Sequence, residues 1–182
     1  MLSRSIGRAS EEGAMELGIT IPLERFLRRS PPLHYGAETD RRFCWDLHVI
    51  DLRGQKSLLS VHCHSRYTFV LFGLTPAERT DLPGTFLDGL RQSLSAAGIG
   101  EREIEGYIAH AGDCAITKTH GRREVAFLNR AWEDVLRMEV ALDTEGREQP
   151  FLDSGVNAKL SRCVGFGGLA PAAERIKQSI GE

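Results

Sequence analysis

Two stretches of alternating polarity constrain this chain more than anything else in it. Phe43, Trp45, Leu47 and Val49 are separated by Cys44, Asp46 and His48, and Leu59, Val61 and Cys63 alternate with Ser60, His62 and His64. Successive side chains of a strand point to opposite faces, so each stretch predicts a strand with one apolar face. With Arg53-Gly54-Gln55 as the connecting loop, Trp45 pairs with Cys63, Leu47 with Val61 and Val49 with Leu59. That register gathers Cys44, Asp46, His48, His62 and His64 on the other, polar face. Tyr67 to Leu74 is apolar at both parities, which predicts a central strand covered on both sides.

Helical spacing surrounds this core. Leu23 to Arg28, the set Phe86, Leu87, Leu90 and Leu94, the set Ile104, Tyr107 and Ile108, and the set Val125, Leu128, Trp132, Val135 and Leu136 repeat at three and four residues. Further strands are expected near Gly18–Pro22 and at Cys114–Thr117. The order of elements predicts the α+β class: a single domain with a mainly antiparallel sheet of about four to five strands. Three main helices pack on it, mainly on one face. Residues 1–16 read as a loose N-terminal extension, 17–164 as the domain, and 165–182 as a Gly165-Phe166-Gly167-Gly168 linker with a C-terminal helix from Pro171 to Ile180.

Composition narrows the function classes. The 182 residues carry 23 Lys and Arg against 25 Asp and Glu, a formal net charge of -2, so no global field draws the chain to nucleic acid or lipid. Any basic site must be local. The longest apolar run, Phe69 to Phe72, is far short of the roughly 20 residues of a membrane helix, so no membrane role is expected. Cys44, Cys63, Cys114 and Cys163 form no C-x-x-C pair, and the first residues have no apolar signal segment, which points to reduced thiols and a cytoplasmic location. Neither a phosphate loop, a G-x-S-x-G elbow nor an H-E-x-x-H helix is present.

The richest chemistry lies in Lys118-Thr119-His120-Gly121-Arg122, between an expected strand and an expected helix. Helix-start N–H groups together with Lys118 and Arg122 attract an anion, Thr119 can donate to it, and Asn129 follows two turns along. Arg66, at the entrance to the Tyr67 strand, adds a further cation. Lys118, Thr119, Arg122, Asn129 and Arg66 are therefore the expected ligand-binding residues of a small binding or regulatory domain. The expected ligand is anionic, such as a nucleotide or a nucleic-acid phosphate.

One alternative is a metal-independent phosphodiesterase or nuclease in which His120 is the acid or base. Another is an antitoxin- or adaptor-like module that docks on a protein partner through the C-terminal helix. No cofactor and no metal are expected; the alternative metal set is Asp46, His48, His62 and His64 on the polar face.

Trp45, the run Arg66-Tyr67-x-x-Val70-Leu71-x-Gly73-Leu74, and Lys118-Thr119-x-x-Arg122-x-x-Val125-Ala126-x-x-Asn129 resemble a bacterial protein family of unknown function, over about Phe43 to Val135. Where the family has Thr-Lys-Lys-Leu, this chain has Thr20-Ile21-Pro22-Leu23, and it carries His48 and His62 where the family tends to have Asn. The resemblance implies no activity. It does single out the Lys118 to Asn129 segment.

Overall fold

At Arg53-Gly54 the chain reverses with both residues at positive φ, 46° and 78°. This is the geometry of a two-residue type I′ turn, whose twist matches that of the flanking strands. The structure, a computed structural model, describes residues 14–29 and 32–181. In it β2 (Cys44–Leu52) and β3 (Gln55–His62) pair one residue away from the expected register. Trp45 faces His62, Leu47 faces Ser60 and Val49 faces Leu58. A slip of one residue exchanges the two faces of a strand. Asp46 and His48 thus share a face with Val61 and Leu59, while His62 joins the side of Trp45.

β4 (Thr68–Leu71) continues antiparallel on β3; β1 (Met15–Ile19) runs parallel to β2, and β5 (Cys114–Lys118) parallel to β1. The order is β4-β3-β2-β1-β5. The α+β domain with a five-stranded sheet is therefore present, with an antiparallel half (β2, β3, β4) and a parallel half (β2, β1, β5).

Helices cover both faces rather than mainly one. α3 (Leu82–Ala96) and α4 (Glu101–Ala111) pack against Met15, Leu17, Trp45, Leu47, Leu58 and Phe69. On the other face α5 (Arg122–Arg137) and α6 (Pro150–Asn157) cover Ile50, Leu52, Leu59, Val61 and Val70. The cause lies in the strands: β2 changes from aliphatics at odd positions, Leu47 and Val49, to even ones, Ile50 and Leu52, and β3 sets Leu58 and Leu59 on opposite faces, so each face must be buried.

The Tyr67 segment is not central but lies at the sheet edge as β4, and it is buried because α6 closes that edge with side chains. Asn157 accepts the Thr68 N–H at 2.8 Å and donates to the Thr68 carbonyl at 2.6 Å, and Asp153 accepts the Val70 N–H at 3.0 Å. An edge strand whose polar groups are paired in this way offers no template for association.

Of the remaining elements, α1 (Ile21–Leu27) is capped by Thr20, and α2 (Pro76–Thr80) opens with a capping box of Thr75 and Glu78. The glycine-rich stretch expected as a linker joins a small hairpin of β6 (Leu160–Arg162) and β7 (Leu169–Pro171). α7 (Ala172–Gly181) follows, and its Ile176 is buried in the core beneath α3 and α4. Met15 and Glu16 belong to β1, so the sheet begins inside the segment expected as an extension; residues 1–13 of that segment lie outside the described residues. Among the described residues no helix is long and apolar enough to cross a membrane.

Candidate functional site

The parallel half of the sheet builds the first of two places where polar groups converge. β1 sits between β2 and β5, placing Glu16 beside Cys44 and Gly18 beside both Asp46 and Thr117. A Cβ at Gly18 would collide with Asp46 Oδ1 and His120 Nδ1. Its absence lets His120, in the turn between β5 and α5, fold back onto the sheet.

The His120 side chain is 4 % exposed, with Nδ1 at 2.6 Å from Asp46 Oδ1 and Nε2 at 3.1 Å from Glu16 Oε2. Both carboxylates are held from behind. Asp46 accepts the His120 backbone N–H, and Glu16 Oε1 accepts the N–H groups of Ala37 and Glu38 at 2.6 and 2.8 Å. Cys63 Sγ lies 3.6 Å from His120 Nδ1. Arg41 donates to the His120 carbonyl and lies against the Cys44 thiol at 3.9 Å.

Burial draws the imidazole of His120 down, but the bond to Asp46 and the contacts with Cys44 and Cys63 outweigh it and hold the ring protonated far above its ordinary range. Burial pushes Asp46 up, against the pull of His120. The proton therefore stays on this pair. Burial also pushes the Cys63 thiol up to about 12.

This surrounding suits a cation better than an anion. Asp46 takes the N–H that a phosphate would use, and the buried Glu124 occupies the first turn of α5, paired with Arg123 at 2.9 Å. A further anion there meets like charge. The expected ligand set does not converge either: Lys118 is exposed with its ammonium 4.9 Å from the Tyr35 ring, and Arg122 is exposed at the start of α5. Thr119 and Asn129 do line one cavity, of about 320 Å³, with Thr20 and His48. Both ring nitrogens of His120 are engaged, so it presents no acid or base to solvent.

The register slip also disperses the expected metal set. His48 leans on Thr20 Oγ1 at 2.7 Å and on the edge of Trp132. His62 is buried against Trp45 on the other face, bonded to Ser65 Oγ and the Arg42 carbonyl, and burial lowers it to about 3. His64 meets Ser179 and Phe166. Of Asp46, His48, His62 and His64, only Asp46 touches the His120 cluster.

The second place is a cavity of about 390 Å³ between α5, α7 and the β3–β4 end of the sheet, lined among others by Arg66, Phe127, Arg130, Ser161 and Arg175. Arg66 adopts φ 62° and lays its guanidinium 3.8 Å from the centre of the Phe127 ring; its Nε is buried with no hydrogen-bond partner. Arg175 is 2 % exposed and spends its donors on the carbonyls of Ser65, Ser161 and Ala170 and on Ser161 Oγ. Burial, with the nearby charge of Arg66, lowers its affinity for its proton.

The acids of the same cavity are already committed, Asp134 to Arg137 and Lys159, Glu133 to Arg137. Among the described residues neither Arg66, Arg130 nor Arg175 has a carboxylate partner. Ala172, Arg175, Ile176 and Ser179 form the buried face of α7 at helical spacing, and this face is covered by the domain itself. An arginine on an otherwise apolar stripe was the sequence signal for this place.

A family model described as a domain of unknown function, DUF6933, matches residues 16–165. The chain belongs to this family. No curated protein matches it.

Proposed function

We propose that this DUF6933 member is a binding domain for a small phosphate-bearing anion, held in the cavity lined by Arg66, Arg130 and Arg175. The observation that carries the reading is the positive charge of Arg66 and Arg175 on one cavity with no carboxylate partner for either among the described residues; Arg66 supplies the donors, and Arg175, whose own are spent on carbonyls and on Ser161 Oγ, adds its field. Taking charge out of water is costly unless it is paired, and planar donors in a fork match the oxygens of phosphate. Arg66 is fixed against the Phe127 ring, so its guanidinium is already oriented when an oxygen arrives. Ser161 adds a hydroxyl at the same wall. A nucleotide or a nucleic-acid phosphate fits this field, and the ligand class is that expected from the sequence while the site has moved from the Lys118 turn.

A thermal-shift screen with pyrophosphate, AMP, ATP and a short RNA tests it. A ligand at about 100 times its Kd adds about 2.7 kcal/mol, which for a chain of this size raises Tm by roughly 5–10 °C. We expect at least one probe to do so with the wild type and with Lys118→Ala, and to shift Arg66→Met by under about 1 °C. No response from any probe, or an equal response in Arg66→Met, overturns the reading.

A further inference from the structure

The strand arrangement brings together donor atoms that the anion site does not use. Asp46, Cys63 and His120 each offer one ligating atom, and these three atoms lie within 4.8 Å of one another. Cys63 Sγ stands 3.6 Å from His120 Nδ1, close to the separation of about 3.5 Å that two ligands of tetrahedral zinc have. Asp46 Oδ1, now 2.6 Å from Nδ1, has to open by about 0.7 Å once the proton between them leaves. Behind the ring, Glu16 accepts from Nε2 and is itself pinned by two backbone amides. A carboxylate on the far nitrogen is the arrangement that fixes the tautomer of a metal-bound histidine and leaves the near nitrogen as the ligand.

We infer that Asp46, Cys63 and His120 bind a divalent transition-metal ion of the zinc class, with Glu16 as the positioning residue that orients the imidazole. One thiolate, one imidazole and one carboxylate suit zinc or cobalt and exclude calcium and magnesium, which take oxygen ligands throughout. On binding, the Nδ1 proton and the Cys63 thiol proton pass to solvent, and Asp46 exchanges its hydrogen bond for the metal. Cys44 belongs to a second triad, with Glu16 and His120, inside the same 4.8 Å limit. Arg41 lies against Cys44 and repels a cation there, which favours the Cys63 side. Cys63 is 4 % and Asp46 1 % exposed, so the site is shielded from solvent, and its three protein ligands leave the fourth tetrahedral position to a water molecule.

The inference is independent of the phosphate site, since it uses neither Arg66 nor Arg175. Metal content of the purified full chain, followed by titration with Zn²⁺ and Co²⁺ and with Mg²⁺ and Ca²⁺ as controls, tests it. We expect about one zinc per chain, a thiolate-to-cobalt absorption band in the Co²⁺ form, and no uptake of Mg²⁺ or Ca²⁺. Cys63→Ser should lose the band, and Glu16→Gln should keep it while weakening affinity about 10–100-fold. The wild-type spectrum alone decides the matter if a variant fails to fold. Absence of bound metal before and after titration, a Co²⁺ form without the thiolate band, or a band that survives Cys63→Ser and disappears in Cys44→Ser, overturns the assignment.

Discussion

At the residue scale, two histidines with opposite surroundings divide the pH behaviour of the fold. His62 is buried against Trp45, and burial outweighs the Arg42 carbonyl and the charge of Asp40, lowering it from its ordinary 6.5 to about 3. In the folded chain it is neutral over that window, while the unfolded chain takes up a proton below 6.5. Its contribution to stability is thus present above pH 6.5 and is lost as pH falls toward about 3. Urea midpoints measured from pH 7 to pH 4 should fall steeply in the wild type and less steeply in His62→Gln; parallel slopes would show that His62 is not the group responsible. His120 has the opposite sign, because the Asp46 bond outweighs its burial and the folded state keeps the proton that the unfolded chain gives up above neutral pH. The sequence displays both histidines but not this contrast. Whether a histidine meets a carboxylate depends on which strand lies next to it, and Glu16 is 104 residues away along the chain.

At the scale of the elements, one turn decided what could be read. Alternation in Phe43–Val49 and Leu59–Cys63 identified both strands correctly, but the register between them hung on loop length. A two-residue type I′ turn needs positive φ at both positions, and Asn, Asp or Gly normally announces it. Here Arg53 takes the first position at φ 46° and gives no such signal. Read as a three-residue loop, the hairpin slips by one, and a slip by one moved His62 and His64 onto the face of Asp46. The helix stripes were legible because they report burial directly. The α6 edge cover was not, since Asp153 and Asn157 look like ordinary surface residues until β4 is placed under them. Asn157→Ala leaves the N–H and the C=O of Thr68 unpaired, and we expect a loss of about 2–4 kcal/mol by urea denaturation, with faster hydrogen exchange at Thr68. A change under about 0.5 kcal/mol would mean that water replaces the side chain at that edge.

At the scale of the whole molecule, the net charge of -2 hides two clusters of opposite chemistry on one face of the sheet. Carboxylates and thiols gather around His120, under the start of α5, and arginines with no carboxylate partner among the described residues gather at the opposite end of the same helix layer, between α5 and α7. The sequence located the first place through the Lys118 turn but did not show its carboxylates, because Asp46, Glu16 and Glu124 arrive there only through strand pairing and burial. It named Arg66 and missed Arg175, whose role depends on a helix end that packs back on the β3–β4 turn. Calorimetric titration of the wild type and of Arg66→Met with pyrophosphate, at low and at physiological salt, tests the central claim most directly. Saturable binding of one ligand per chain, weakened by salt and abolished in Arg66→Met, is the result predicted. Heats at the level of dilution in the wild type, or binding unchanged in Arg66→Met, would contradict it.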